Sequence, residues 1–207
     1  MKTKILFISH DASLSGAPLV LLYFMEWLKE HHSDEYEIGI LHLKGGEIED
    51  RFNAVADSIY RVENKKNLAK VADKVSNGLF SKITKTPVRK CIQKILKDDY
   101  AIIYANTVVA LPMAIQIKRE SKKNIKMLAH VHEMQASLKN YVKQSRGIIE
   151  HIDLIIAVSN AVKLSIIDQW GFSKSNIEVV YEFSKIKVGK IINKNKETEF
   201  TIGGSGL

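Results

Sequence analysis

Seven short apolar runs, each but the last followed by a stretch with helical spacing, constrain this chain more than any single residue does. The runs are Ile5–Ser9, Tyr36–Leu41, Ser58–Val62, Ala101–Tyr104, Lys126–Val131, Leu154–Val158 and Ile177–Tyr181. Helical patterns lie among them at Leu19–His31, Glu47–Val55, Leu68–Gly78, Val88–Asp98, Val108–Glu120, Leu138–His151 and Ala161–Trp170. This alternation predicts an α/β domain: a doubly wound parallel sheet with helices on both faces. At 207 residues the chain fits one large domain, or one domain and a fragment.

The first strand-loop-helix unit is the most specific. Ile5 to Ile8 read as a strand covered on both sides, and His10 to Pro18 carry turn chemistry. Leu19 onward is apolar nearly all round until Glu26, as in an interior helix, and Pro18 suits the first helical position. Gly16 would let backbone approach a ligand, and free amides at a helix start favour an anion such as phosphate. An ordinary strand-to-helix turn reads the same way.

The chain has a net charge of +8, concentrated in two stretches. Lys82 to Lys97 holds Lys82, Lys85, Arg89, Lys90, Lys94 and Lys97 without an acid, and Lys118 to Lys126 is a second basic stretch. Such clusters attract nucleic acid, anionic lipid or a sugar diphosphate, or are simply solvated. Nucleic acid is set aside, because no RNP aromatics, zinc-finger spacing or heptads accompany them. Val88, Ile92, Ile95 and Leu96 lie at helical spacing among the basic residues. They would either rest on an anionic membrane surface or pack into the core. The single cysteine, Cys91, allows no internal disulfide and suits a reducing compartment. The N-terminus has no secretory signal, and the longest apolar run, Ala17–Met25, is too short to span a bilayer. A cytoplasmic protein is expected, with membrane contact at most peripheral.

In an open parallel sheet, ligands sit beyond the carboxyl ends of the strands. The residues there are His10, Asp11, Ser15 and Gly16; Asn106 and Thr107; His132 and Glu133; Ser159 and Asn160; and Glu182. His130 and His132 share one strand face. Their spacing lacks the helical metal pattern and a third ligand, so no metal is expected. One reading makes His130 a core residue and His132 a donor in the cleft, and another makes both structural. Ser159 is a good N-cap, which alone explains it.

Taken in order, several segments resemble the N-terminal, acceptor-side domain of family 4 glycosyltransferases, whose fold is the Rossmann-like, two-domain GT-B type. They are Ile5–Leu22 with its Ser-Gly-Ala-Pro loop, Tyr104-Ala105-Asn106-Thr107, His130-Val131-His132-Glu133, Ile155–Val162 and Ile177–Phe183, with Ile202-Gly203-Gly204-Ser205-Gly206 at the end. The resemblance implies retaining transfer of a sugar from a nucleotide-sugar donor to a glycan or lipid-linked acceptor, without a cofactor or metal, commonly in surface polysaccharide assembly. It implies that Ser15, Gly16 and Ala17 line the donor diphosphate and that His132 is catalytic, beside the transferring sugar. His10, Asn106, Thr107, Glu133, Ser159, Asn160 and Glu182 would face the cleft and acceptor.

By the same resemblance, residues 1–184 form the N-terminal domain and 185–199 a linker. Residues 200–207 would be the first strand of a second domain, which mainly holds the donor. A fragment lacking that domain is expected to be inactive alone. Two departures stand out. Family members often have paired glycines where this chain has Ser15-Gly16, and Tyr-Asn-Gly where it has Tyr181-Glu182-Phe183. The second leaves Glu182 without a role. Other Rossmann-like proteins, such as a nucleotide-sugar epimerase, share parts of the pattern.

Overall fold

A computed structural model describes residues 2–62, 87–133, 138 and 149–183. It contains all seven expected strands: β1 Thr3–Ser9, β2 Tyr36–His42, β3 Ser58–Arg61, β4 Ile102–Asn106, β5 Lys126–Val131, β6 Leu154–Ala157 and β7 Ile177–Val179. The helices are α1 Gly16–His31, α2 Glu49–Val55, α3 Pro87–Ile95, α4 Leu111–Glu120 and α5 Asn160–Trp170, with a 3-10 turn at Val108–Ala110 leading into α4. The helix expected at Leu68–Gly78, most of that at Leu138–His151, the linker and the terminal strand lie outside the described residues.

Every strand pair is parallel, in the order β3-β2-β1-β4-β5-β6-β7. Alternate strand residues therefore feed two cores. On one face Ile5, Phe7, Ile38, Ile40 and Tyr104 pack with Leu21, Leu22 and Met25 of α1 and Phe52 of α2. Phe7, Phe24 and Tyr104 form an aromatic trio with ring centroids 5.2–5.9 Å apart, a geometry that adds to simple burial. On the other face Leu6, Ile8, Ile103, Met127 and Ile155 pack with α3, α4 and α5.

One sequence expectation changes here and one open alternative is decided. Helix α1 begins at Gly16, so Pro18 is its third residue rather than its first. The position still suits proline, because the first backbone bond of the helix comes from Leu19 N–H to Ser15 O at 3.1 Å. In α3, Val88, Ile92 and Ile95 are buried in the core and Leu96 packs against it. These side chains are not available to a membrane, and only the basic face with Arg89, Lys90 and Lys94 points to solvent. Among the described residues no helix is long and apolar enough to cross a bilayer.

One close approach packs β2 against the segment that leads into β4. A Cβ on Gly39 would lie 2.1 Å from the Tyr100 hydroxyl. That hydroxyl is itself bonded to Tyr60 Oη at 2.9 Å, and Tyr60 donates in turn to Asp98. Gly39→Ala is expected to destabilise the fold by about 1–3 kcal/mol, the range for overpacking a core. Urea unfolding checks this, with Gly39→Ala/Tyr100→Phe recovering part of the loss. A Gly39→Ala stability within about 0.5 kcal/mol of the parent would contradict the contact.

Candidate active-site cleft

The order of the strands reverses between β1 and β4. From β1 the chain winds outward through β2 to β3, then returns to place β4 on the other side of β1. Such a switch point opens a crevice at the carboxyl ends of the two strands. Register places Ser9 beside Asn106 and Asn106 beside His130. The loops that follow these three residues therefore leave the sheet side by side.

The loop after β1 is held from within and from the β2–α2 connection. Asp11 Oδ1 accepts from Ser13 N–H at 3.1 Å and Ser13 Oγ at 2.8 Å, and Ser13 Oγ lies 2.9 Å from Ser15 Oγ. Ile48 N–H donates to Ala12 O at 3.0 Å, and Leu14 N–H to Glu47 Oε2 at 3.2 Å. Gly46 permits this packing, since a Cβ there would lie 2.2 Å from the Ala12 carbonyl. Gly16 differs: a Cβ on it would meet nothing within 4 Å. The first turn of α1 contains no acid, so its positive dipole end is not offset there.

Asn106 belongs to β4 itself, two residues beyond the expected strand end, and its residue surface is fully buried. Thr107 follows at φ 75°, ψ 158°. This is a region that glycine dominates and a β-branched residue enters only under strain, at a cost of roughly 1–3 kcal/mol. Four bonds hold it: Thr107 N–H to His130 O at 2.9 Å and Ala110 N–H to Thr107 O at 3.2 Å, Thr107 Oγ1 with His10 Nδ1 at 3.2 Å, and Val108 N–H to Glu133 Oε1 at 3.1 Å. The other oxygen of Glu133 accepts from His132 N–H at 3.1 Å. Glu133 thus clamps the β4 and β5 loops together through backbone amides. Both of its carboxylate oxygens are therefore engaged by backbone N–H groups.

His132 lies at the centre. Its Nε2 is 2.9 Å from Asn106 Oδ1 and its Nδ1 is 2.6 Å from Glu182 Oε1. Asn106 donates its amide N–H to Ala17 O at 3.0 Å. A continuous chain of bonds therefore runs from the first turn of α1 through Asn106 and His132 to the segment after β7. His130, one turn of the pleat earlier, packs its ring 4.1 Å from that of His132 and pairs with the Tyr104 hydroxyl at 2.8 Å. Burial, with His132 alongside, pushes the His130 pKa down to about 3. Burial also raises the Tyr104 hydroxyl far above its ordinary range, so it keeps its proton. His130 is the core residue of the pair and His132 the residue at the strand tip.

The remaining expected site residues make the following contacts. Ser159 Oγ accepts from Val162 N–H at 3.2 Å and caps α5, so its side chain has a structural task. Asn160 donates to Tyr181 Oη at 3.2 Å, beside Glu182. His10 contacts Thr107 and lies 3.5 Å from Asp11 Oδ2. No sequence signal marked the strained Thr107, the Ala17 carbonyl as a partner, or Glu182 as the second hydrogen-bond partner of His132.

The family model for Glycosyltransferase Family 4 matches residues 52–183. No curated protein sequence matches the chain. Among solved structures, the apo form of the lipopolysaccharide outer core galactosyltransferase WaaB superposes with a TM-score of 0.64 at 18% identity, over 90% of this chain and 47% of that one. A glycosyltransferase from Rickettsia africae ESF-5 gives 0.58 at 16% identity, over 87% and 43% of the two chains. A putative UDP-N-acetylglucosamine 2-epimerase from Listeria monocytogenes gives 0.51 at 12% identity, over 86% and 44%. The chain therefore spans less than half the length of these structures, and at such identities the likeness is one of fold.

Proposed function

The chain belongs to glycosyltransferase family 4, and from that premise we propose that it is the acceptor-side domain of a retaining enzyme that moves a sugar from a nucleotide-sugar donor to a glycan or lipid-linked acceptor. A second domain, beginning near residues 200–207, would hold most of the donor. The fold it shares with a putative epimerase does not distinguish transfer from epimerisation, whereas the family match favours transfer. The observation behind the site assignment is the bonded chain Ala17–Asn106–His132, which ties the strand-tip histidine to the first turn of α1 at the switch point.

The chemistry suits that geometry. Sugar transfer builds oxocarbenium character at the anomeric carbon and negative charge on the departing diphosphate. Amides and cations already fixed in place stabilise such charge most effectively. The start of α1 at Ser15, Gly16 and Ala17 has no first-turn acid and faces open space at Gly16. His132 would act on the sugar or its leaving group from the opposite side. The exposed basic face of α3 is compatible with an acceptor near an anionic cytoplasmic membrane surface, as in surface polysaccharide synthesis.

The test uses the full-length enzyme with UDP- and GDP-sugars and glycan or lipid-extract acceptors. Acceptor-dependent release of nucleoside diphosphate is expected, with the donor's anomeric configuration kept in the product. An inverted product overturns the retaining mechanism, and the absence of turnover with every donor and acceptor overturns sugar transfer.

A further inference from the structure

We infer that Glu182 is a positioning residue that holds His132 as a donor at both ring nitrogens, with Asn106 fixing which proton stays. The inference deepens the functional reading above and rests on it for its catalytic meaning, though not for its geometry. The Ala17 carbonyl can only accept, so the Asn106 group that meets it is the NH₂. The opposite end, Oδ1, then faces His132 and can only accept, so His132 Nε2 carries a proton. The group at Nδ1 is the Glu182 carboxylate, at 2.6 Å, and a carboxylate also only accepts. Both ring nitrogens therefore face acceptors, and His132 donates from each.

The surroundings agree. His130, its ring tilted 47° to that of His132 at 4.1 Å, is kept neutral by burial, so it presents no second cation to His132. Glu133 meets only the backbone of this residue, and His10 is turned toward Thr107 and Asp11. Among the described residues, Glu182 is thus the carboxylate that meets the ring. The two partners also differ in freedom. Asn106 is fully buried, whereas the Glu182 side chain is 42% exposed. The Nδ1 side is the open one, so a reacting oxygen reaches His132 by exchanging with Glu182 while Asn106 keeps its bond. A glutamate here keeps a fixed donor at the point where diphosphate charge would develop.

Long-range ¹H–¹⁵N NMR of the histidine rings, recorded on the 207-residue chain at pH 7, reads this directly. Both His132 nitrogens are expected in the protonated range. In Glu182→Gln the Nδ1 signal moves to the unprotonated range while Nε2 stays, because an amide can donate where a carboxylate cannot. Glu182→Asp restores the parent spectrum. An unprotonated Nε2 in the parent, or a Glu182→Gln spectrum unchanged at Nδ1, overturns the inference. If the spectra behave as described and no donor is turned over, the array stands and the transferase reading fails.

Discussion

Replacing His132 with glutamine in the full-length enzyme is expected to lower kcat by about 10²–10³-fold, the cost of removing one pre-aimed donor to developing negative charge. Glutamine is the informative substitution. Alanine would leave the buried Asn106 Oδ1 without its partner, and a stranded buried acceptor costs roughly 1–3 kcal/mol of stability. A fall in activity could then reflect a loosened fold. His132→Gln can still donate to Asn106, so thermal unfolding should stay close to the parent while turnover drops. His132→Ala should show the same kinetic loss together with a lower Tm. Turnover above about one tenth of the parent in a folded His132→Gln enzyme would remove His132 from the mechanism, since one factor of ten is only about 1.4 kcal/mol.

The contrast between what could be read from sequence and what could not follows from how local each signal is. All seven strands were legible because an apolar run bounded by polar residues is a local pattern. Their ends were less so. Asn106 looked like a loop residue because polar side chains seldom end a buried strand, yet its partners lie 89 and 26 positions away in Ala17 and His132. The apolar stripe of α3 fitted a core or a lipid surface, and only the sheet behind it decides for the core. Thr107 gave no warning at all, since nothing in its own sequence selects positive φ. Its backbone is imposed by His10, His130 and Glu133. Ser159 was legible as a cap for the opposite reason: its partner is three residues away. Glu182 had no role in sequence because what it does depends on a histidine 50 positions earlier.

Stability should fall steeply as pH drops from about 7 to 5, and two buried histidines are the reason. His42 ends β2 with no exposed surface, its ring edge-on to Phe52 at 5.1 Å, and neither ring nitrogen has a hydrogen-bonding partner among the described residues. Burial, helped by Arg61, pushes its pKa down to about 4, and burial brings His130 to about 3. An unfolded histidine takes up its proton near pH 6.5. Below that pH the unfolded chain binds protons that the folded chain refuses, so stability decreases as pH falls. Each site approaches a slope of about 1.4 kcal/mol per pH unit, or about 2 kcal/mol by pH 5. Together they remove about 4 kcal/mol, much of the 5–15 kcal/mol that keeps an ordinary domain folded. Asp57 and Asp153 do not obscure this window. Burial pushes both carboxyls up, but backbone N–H groups and lysines hold them below their ordinary value, so their loss comes at lower pH. His151 is also lowered, by burial and then by Arg119 and Lys118, and being more exposed adds less. Urea unfolding at pH 7.5, 6.5, 5.5 and 5.0 measures the slope. His42→Leu should lose about half of it, being equal to or more stable than the parent at pH 5, because an apolar side chain has no proton to refuse. Stability that is level across this range, or a His42→Leu slope equal to the parent's, would mean that His42 charges freely in the folded chain.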